Sequence, residues 1–173
     1  MNFMGLSLSF QPNLSESFQN NLFLMNNHIR VIHPEFFPQG CVSVDFTNNK
    51  IGTDGMPEEW NEGIEEINLS KNRIQEIDFI QWPSTLKKLN LSFNPLLRIP
   101  YGLPNSLVEL DLQGTDIQDL ENIPSSVQVI HVNGCKLDVK DVPETCEIKG
   151  LFQPCTHSEK EQEHVRDIHG WGC

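Results

Sequence analysis

The 173-residue sequence contains no alanine. Alanine has the highest helix propensity of all residues, so its absence argues against a fold built on long helices. Positive charge is also scarce, because 12 lysine and arginine residues face 24 aspartate and glutamate residues, a formal net charge of −12. Such a chain repels nucleic-acid phosphates and anionic lipids, so we expect neither as a direct partner. No apolar run approaches the roughly 18 residues of a membrane-spanning helix, and we expect no membrane segment.

Features of exported proteins are missing as well. No lysine or arginine precedes Arg30, and Pro12 interrupts the apolar start, so the N-terminus does not read as a signal peptide. The five cysteines are odd in number and lack the spacing of a disulfide framework. Cys41, Cys135 and Cys146 also fall at positions that the repeats described next would bury. These observations predict reduced thiols and an intracellular, cytoplasmic location.

The sequence is rich in a repeated pattern of leucine and asparagine. Residues 64–74 read Ile-x-x-Ile-x-Leu-x-x-Asn-x-Ile, and the pattern begins again at positions 86, 107 and 127. Earlier copies begin at 19 and 41, and a residual copy begins near 146, so successive starts lie 22, 23, 22, 21, 20 and 19 residues apart. A further copy is predicted from Phe3, with Leu6 and Leu8 as the inward strand positions. Gln11, Thr115 and Cys135 then hold the asparagine position in three of the copies.

This pattern resembles that of leucine-rich-repeat proteins over roughly residues 3–151. The resemblance implies an α/β-type solenoid, a leucine-rich-repeat horseshoe of six to seven repeats with a parallel concave sheet and short irregular or 3-10 convex segments. Proline lies three residues before five of the repeat starts, which also favours short convex segments over helices. We expect residues 1–151 to form the solenoid and residues 152–173 a C-terminal cap or tail with a short helix.

Outward-facing strand residues are the natural place to look for function. Side chains alternate along a strand, so the neighbours of each inward residue point to the concave face. The predicted protein-binding residues of this face are Phe23, Met25, Asp45, Glu66, Asn68, Lys88, Asn90, Glu109, Asp111 and His131. Acidic residues outnumber the single lysine, so this face is expected to attract a basic segment of a protein partner. An ordinary solvated strand surface is the competing interpretation.

The rim and the ends of the solenoid supply further candidates. Phe93 lies just past a strand, where an aromatic ring either anchors a partner or stacks on a neighbouring loop. Phe3, Leu6 and Leu8 are predicted to form an N-terminal edge that a partner or a second copy covers. At the other end, Ser158-Glu159-Lys160-Glu161 has the pattern of a helix capping box, which is the basis for the short C-terminal helix.

Two groupings of reactive residues are weaker candidates for chemistry. Ser92, Asp111 and His131 fall on successive strands, but outward neighbours on a sheet lack an oxyanion pocket and exclusion of water. The cysteines and histidines of the tail match no short zinc-ligand spacing; they are Cys155, His157, His164, His169 and Cys173. No nucleotide-binding motif is present either. We therefore predict no catalytic site, no cofactor and no metal.

The sequence predicts a non-enzymatic protein–protein interaction module, acting as an adaptor or scaffold through its concave face or its N-terminal edge. This step depends on the resemblance, because leucine-rich repeats serve mostly as binding scaffolds and fold alone does not imply function. Two alternatives remain open: a structural subunit of a large multiprotein assembly, and a regulatory subunit of an enzyme such as a phosphatase.

Overall fold

The computed structural model describes residues 1–77, 80–137 and 146–150. Seven strands form one sheet in chain order, and every neighbouring pair is parallel. The strands are β1 (Asn21–Phe23), β2 (Ser43–Asp45), β3 (Glu66–Asn68), β4 (Lys88–Asn90), β5 (Glu109–Asp111), β6 (Val129–His131) and β7 (Glu147–Lys149). Within the described ranges the only helical elements are two 3-10 helices, Pro34–Phe36 and Thr53–Gly55. The predicted solenoid with a parallel sheet and short 3-10 segments is confirmed, whereas the predicted tail lies outside the described residues.

Strand register follows the repeat alignment from position 19 to position 137. Each strand centre is an apolar residue between two more exposed ones, the alternation expected of a strand with one buried face. The centres of the first six strands are in register and buried: Leu22, Val44, Ile67, Leu89, Leu110 and Ile130. Each repeat buries these side chains against its neighbours, so the core is one continuous stack.

The side of the solenoid opposite the sheet is packed with aromatic rings and proline turns. The buried indoles of Trp60 and Trp82 stack with ring centroids 6.2 Å apart and planes 11° from parallel. Before the strands, the proline carbonyl of each turn accepts a hydrogen bond from the backbone N–H three residues on, as Pro83 does from Leu86 at 3.1 Å. Because these turns take the place of helices, neighbouring repeats approach each other closely on this side as well as along the sheet.

A ladder of buried asparagines joins consecutive repeats. Its members are Asn27, Asn49, Asn72 and Asn94. The Nδ2 of Asn94 donates to the carbonyl of Leu91 in its own repeat at 3.0 Å and to that of Leu69 in the preceding repeat at 2.9 Å, while its Oδ1 accepts the N–H of Ile74 at 3.1 Å. In the next two repeats Thr115 and Cys135 take this position, and both donate to the carbonyl of Leu112. The ladder satisfies backbone groups that are shielded from water.

The alignment predicted for the first copy is wrong by five residues. The Nδ2 of Asn27 donates to the carbonyl of Phe3 at 2.8 Å, and its Oδ1 accepts the N–H of Leu8 at 2.9 Å. Asn49 makes the same two bonds to Leu24 and Ile29. Phe3 is therefore the equivalent of Leu24, and Leu8 the equivalent of Ile29.

This correction restores a full-length first repeat. Phe3 precedes Leu24 by 21 residues, whereas the predicted frame left only 16 between copies. Leu6, not Gln11, falls in the asparagine position, and the Gln11 side chain instead bonds to both backbone groups of His33. The hydrogen bonds of the ladder determine this frame, and the similarity of Leu-Ser-Leu-Ser-Phe to Leu-Asn-Leu-Ser-Phe is incidental.

The residual last copy is offset by one residue from its prediction. Ile130 pairs with Ile148, so the spacing from the preceding repeat is 18 residues instead of 19. Cys146 consequently aligns with Gln128 and is only partly buried. The inward position belongs to Ile148, which packs against the edge of the core.

Candidate functional site

The outward face of the sheet contains a shallow groove of about 300 Å³. It spans β1 to β5 and is lined by Phe23, Ser43, Val44, Asp45, Glu66, Ile67, Asn68, Lys88, Leu89, Asn90, Glu109 and Asp111. We call these residues the acidic groove. Eight of the ten residues predicted for the concave face line it, while Met25 and His131 do not. Ser43 was not among the predicted binding residues, although strand alternation places it in the outward column of the sheet.

One column of the acidic groove is partly neutralised by its own charges. Register places Glu66, Lys88 and Glu109 side by side on β3, β4 and β5. The Lys88 Nζ lies 3.7 Å from Glu66 Oε1 and 3.8 Å from Glu109 Oε2. Beyond the groove, His131 Nε2 lies 3.3 Å from Glu109 Oε1. Such partly exposed pairs contribute little to stability, but they compensate much of the charge of this column.

The second column carries the uncompensated charge. Its four middle members are Asp45, Asn68, Asn90 and Asp111, and it extends to Phe23 on β1 and to His131 on β6, whose Nε2 contacts Glu109 of the other column. In each of the four, Oδ1 accepts the backbone N–H two residues further on, at 2.7 to 3.1 Å. These turns hold the side chains in place. In the described part of the chain no basic side chain forms an ion pair with Asp45 or Asp111.

Phe93 lies on the rim of the sheet in a left-handed conformation. Its φ is 55°, and the corresponding residues of the other repeats are also left-handed: Gly5, Asn26, Asn48, Lys71, Gly114 and Gly134. A bulky aromatic residue is a rare and unfavourable occupant of such a position. The ring lies against Gly114, where a Cβ would be 2.7 Å from it, and the Lys71 Nζ lies 5.7 Å from the ring centroid. The ring is still 54% exposed, so stacking accounts for only part of its surface.

The residues predicted for the N-terminal edge do not share one surface. Phe3 and Leu8 are partly buried against the core, because they occupy inward positions of the first repeat. Leu6 is 59% exposed. Phe10 is also exposed, and it lies outside the left-handed column, in which Gly5 represents the first repeat.

The described residues form neither a hydrolase triad nor a metal site. Ser92 of the discounted triad is only 3% exposed, and His131 contacts Glu109. No group of three or more His, Cys, Asp or Glu side chains within residues 1–77, 80–137 and 146–150 is arranged to hold a metal ion. Cys41, Cys135 and Cys146 are free thiols, and burial raises the pKa of Cys41 and of Cys146. The cysteines and histidines of the tail lie outside the described residues.

None of the helices in the described part of the chain has the length and apolar character needed to cross a bilayer.

Comparison with known proteins identifies the repeat. Residues 85–105 match the family model described as Leucine Rich Repeat. An LRR protein of Leptospira interrogans is 17% identical, with 75% of this chain and 54% of that chain covered and a TM-score of 0.42. YopM from Yersinia enterocolitica WA-314 is 18% identical, covering 75% and 41%, with a TM-score of 0.46. The chain thus spans about half the length, or less, of these two structures. No curated protein matches the sequence significantly.

A third similar structure is a chain of the octameric complex of Latrophilin 3 (Lec, Olf), Unc5D (Ig, Ig2, TSP1) and FLRT2 (LRR). It is 14% identical, with 82% of this chain and 72% of that chain covered, and the TM-score is 0.34.

Proposed function

We propose that this leucine-rich-repeat protein binds a protein partner by taking a basic segment of it into the acidic groove. The leucine-rich-repeat fold suggests a protein–protein interaction module, and such folds are typically non-enzymatic. The observation that carries the proposal is the column in which Asp45 and Asp111 are held by backbone hydrogen bonds and lack a basic counterion among the described residues.

Rigidity and charge both favour binding at this groove. The groove residues stand on hydrogen-bonded strands, and their carboxylates are already oriented, so little conformational entropy is lost on binding. The formal charge of the groove is −3, from four carboxylates and Lys88, which would speed the approach of a cationic segment. We further propose that the protein acts inside the cell as an adaptor, and the free thiols of Cys41, Cys135 and Cys146 support this location.

Affinity purification from the native cell tests this proposal. We expect a tagged copy to retain one or a few proteins in stoichiometric amounts, and the double variant Asp45→Asn/Asp111→Asn to retain at least about tenfold less of them, as for the loss of 1.4 kcal/mol. The matched control is Glu58→Gln/Glu121→Gln, which removes the same charge from exposed positions outside the groove. Equal recovery with all three proteins would show that the groove is not the binding site.

A second candidate function is supported by exposed apolar side chains near the N-terminus. Among the described residues, five of the nine exposed large apolar side chains lie between positions 4 and 31; they are Met4, Leu6, Phe10, Phe18 and Val31. Exposed apolar side chains of this kind are suited to burial against a partner in a larger assembly. In the same purification, a large particle that survives the groove substitutions but is lost in Leu6→Ser/Phe10→Ser would identify a structural subunit. Leu8 is unsuitable for this test because it packs against the core.

Phe93 is expected to contribute to partner binding more than to folding. We predict that Phe93→Asn changes the free energy of unfolding by less than about 1 kcal/mol, because asparagine tolerates the left-handed conformation and offsets the lost ring contact with Gly114. Recovery of the partner should fall severalfold. Urea denaturation and the purification described above measure the two effects. A large loss of stability would instead identify Phe93 as a packing residue.

A further inference from the structure

We infer that the segment bound in the acidic groove is extended, crosses the strands, and carries two basic side chains four residues apart. The inference rests on the proposed function and adds the conformation and the spacing of the ligand. It follows from the positions of the two uncompensated carboxylates and from what lies between them.

The distance between the carboxylates follows from the sheet register. Asp45 is on β2 and Asp111 on β5, and they occupy the same column through the pairs Asp45–Asn68, Asn68–Asn90 and Asn90–Asp111. Neighbouring strands lie about 4.8 Å apart, so three steps separate the two aspartates by about 14 Å.

The centre of the groove is unfavourable for a third cation. Asn68 and Asn90 place neutral amide groups between the two aspartates. Their Oδ1 atoms already accept backbone N–H groups, and Asn68 Nδ2 donates to Asp45 Oδ2 at 3.4 Å, which leaves the Nδ2 of Asn90 to donate to a peptide carbonyl. Lys88, on the same strand as Asn90, holds a positive charge between Glu66 and Glu109. The groove therefore presents an acidic position, a neutral centre with one cation beside it, and a second acidic position.

An extended peptide matches this arrangement when its basic residues are four apart. An extended chain advances about 3.3 Å per residue and repeats its side-chain direction every second residue, so positions i and i+4 lie about 13 Å apart on one face. Positions i and i+3 point to opposite faces, and i and i+2 are only about 7 Å apart. In an α-helix the rise is about 1.5 Å per residue, so positions i and i+4 lie only about 6 Å apart along the axis and do not reach both aspartates.

Three heptapeptides of identical composition test the spacing. Each contains two arginines, three serines and two glycines, with the arginines separated by four, three or two positions. Their dissociation constants for the full-length protein are measured by NMR titration at about 0.01 M ionic strength, where the Debye length is about 30 Å. We expect the peptide with i, i+4 spacing to bind at least about fivefold more tightly than the other two, because it alone forms both ion pairs.

Isosteric variants of the two aspartates test whether these carboxylates cause the preference for the i, i+4 spacing. Asp45→Asn and Asp111→Asn should each weaken the i, i+4 peptide about three- to fivefold and reduce its advantage over the other peptides. Asparagine keeps the Oδ1 acceptor of the turn, and Asn68 and Asn90 already occupy this column with the same hydrogen bond. An unchanged amide spectrum and urea midpoint will verify that the variants are folded.

The possible failures are distinguishable. If all three peptides bind equally and the aspartate variants weaken all of them, the spacing is wrong while the basic-segment proposal survives. Preference for i, i+2 or i, i+3 overturns the extended, strand-crossing geometry in the same way. If no peptide binds, or if binding ignores both substitutions, the inference and the groove as a site for a basic segment are both wrong.

Discussion

The Asn94→Ala variant is expected to lose about 3–5 kcal/mol of unfolding free energy. Asn94 is 1% exposed and serves two repeats at once. Its truncation leaves the carbonyl of Leu91 and the N–H of Ile74 without partners in a buried position. It also removes one of two donors to the Leu69 carbonyl, the other being Asn72 Nδ2 at 3.0 Å. Each unsatisfied buried group costs about 1–3 kcal/mol. Urea denaturation followed by circular dichroism measures the loss.

Two variants make this result specific to the ladder. Asn90→Ala removes an outward side chain whose Oδ1 accepts only the N–H of Ser92, and it should lose less than about 1 kcal/mol. Asn94→Thr should fall in between, because Thr115 fills the same position in the next repeat with a hydrogen bond to the carbonyl of Leu112. Equal stability of the two alanine variants would contradict a structural role for the ladder.

The Gly55→Ala variant is expected to lose about 3 kcal/mol through overpacking between two repeats. Gly55 ends a 3-10 helix and is buried, and an added Cβ would overlap the backbone oxygen of Arg30. A backbone atom cannot rotate away as a side chain does. The two repeats must therefore separate, which weakens the 2.9 Å hydrogen bond from the Ile32 N–H to the Gly55 carbonyl. Thermal and urea unfolding both report the effect.

Gly52→Ala in the same turn is the matched control. Gly52 has φ −101° and ψ −177°, which any residue adopts, and the nearest atom to an added Cβ is 3.9 Å away. This variant should be neutral or gain about 0.4–1 kcal/mol, since alanine restricts the unfolded chain more than glycine does. Equal stability of Gly55→Ala and Gly52→Ala would contradict the close approach of the Arg30 backbone to Gly55.

The outward columns of the acidic groove were predictable to a large extent. The positions of Asp45, Asn68 and Asp111 follow from strand alternation and from aligning the repeats, and both are periodic features of the sequence. The distribution of charge compensation was not predictable. Lys88 pairs with Glu66 and Glu109 because the three share a column, and this leaves the aspartates of the neighbouring column without a basic partner in the described ranges.

The two ends of the solenoid were predicted less well than its middle. A repeat at either end of the solenoid has only one neighbouring repeat, so its predicted alignment depends on a few similar residues. The hydrogen bonds of Asn27 to Phe3 and Leu8 determine the frame at the N-terminus, and the pairing of Ile130 with Ile148 determines it at β7. Leu6 was predicted to point inward and is instead exposed.

The sequence by itself determined the architecture of this protein. Apolar residues recur with the period of a strand inside a repeat of about 22 residues, and only a stack of parallel strands buries all of them at once. The tertiary structure decided which of these surfaces carries unbalanced charge, where an aromatic ring remains exposed on the rim, and where a glycine admits the backbone of the preceding repeat. These properties depend on distances between side chains of adjacent repeats, and a repeat period contains no information on such distances.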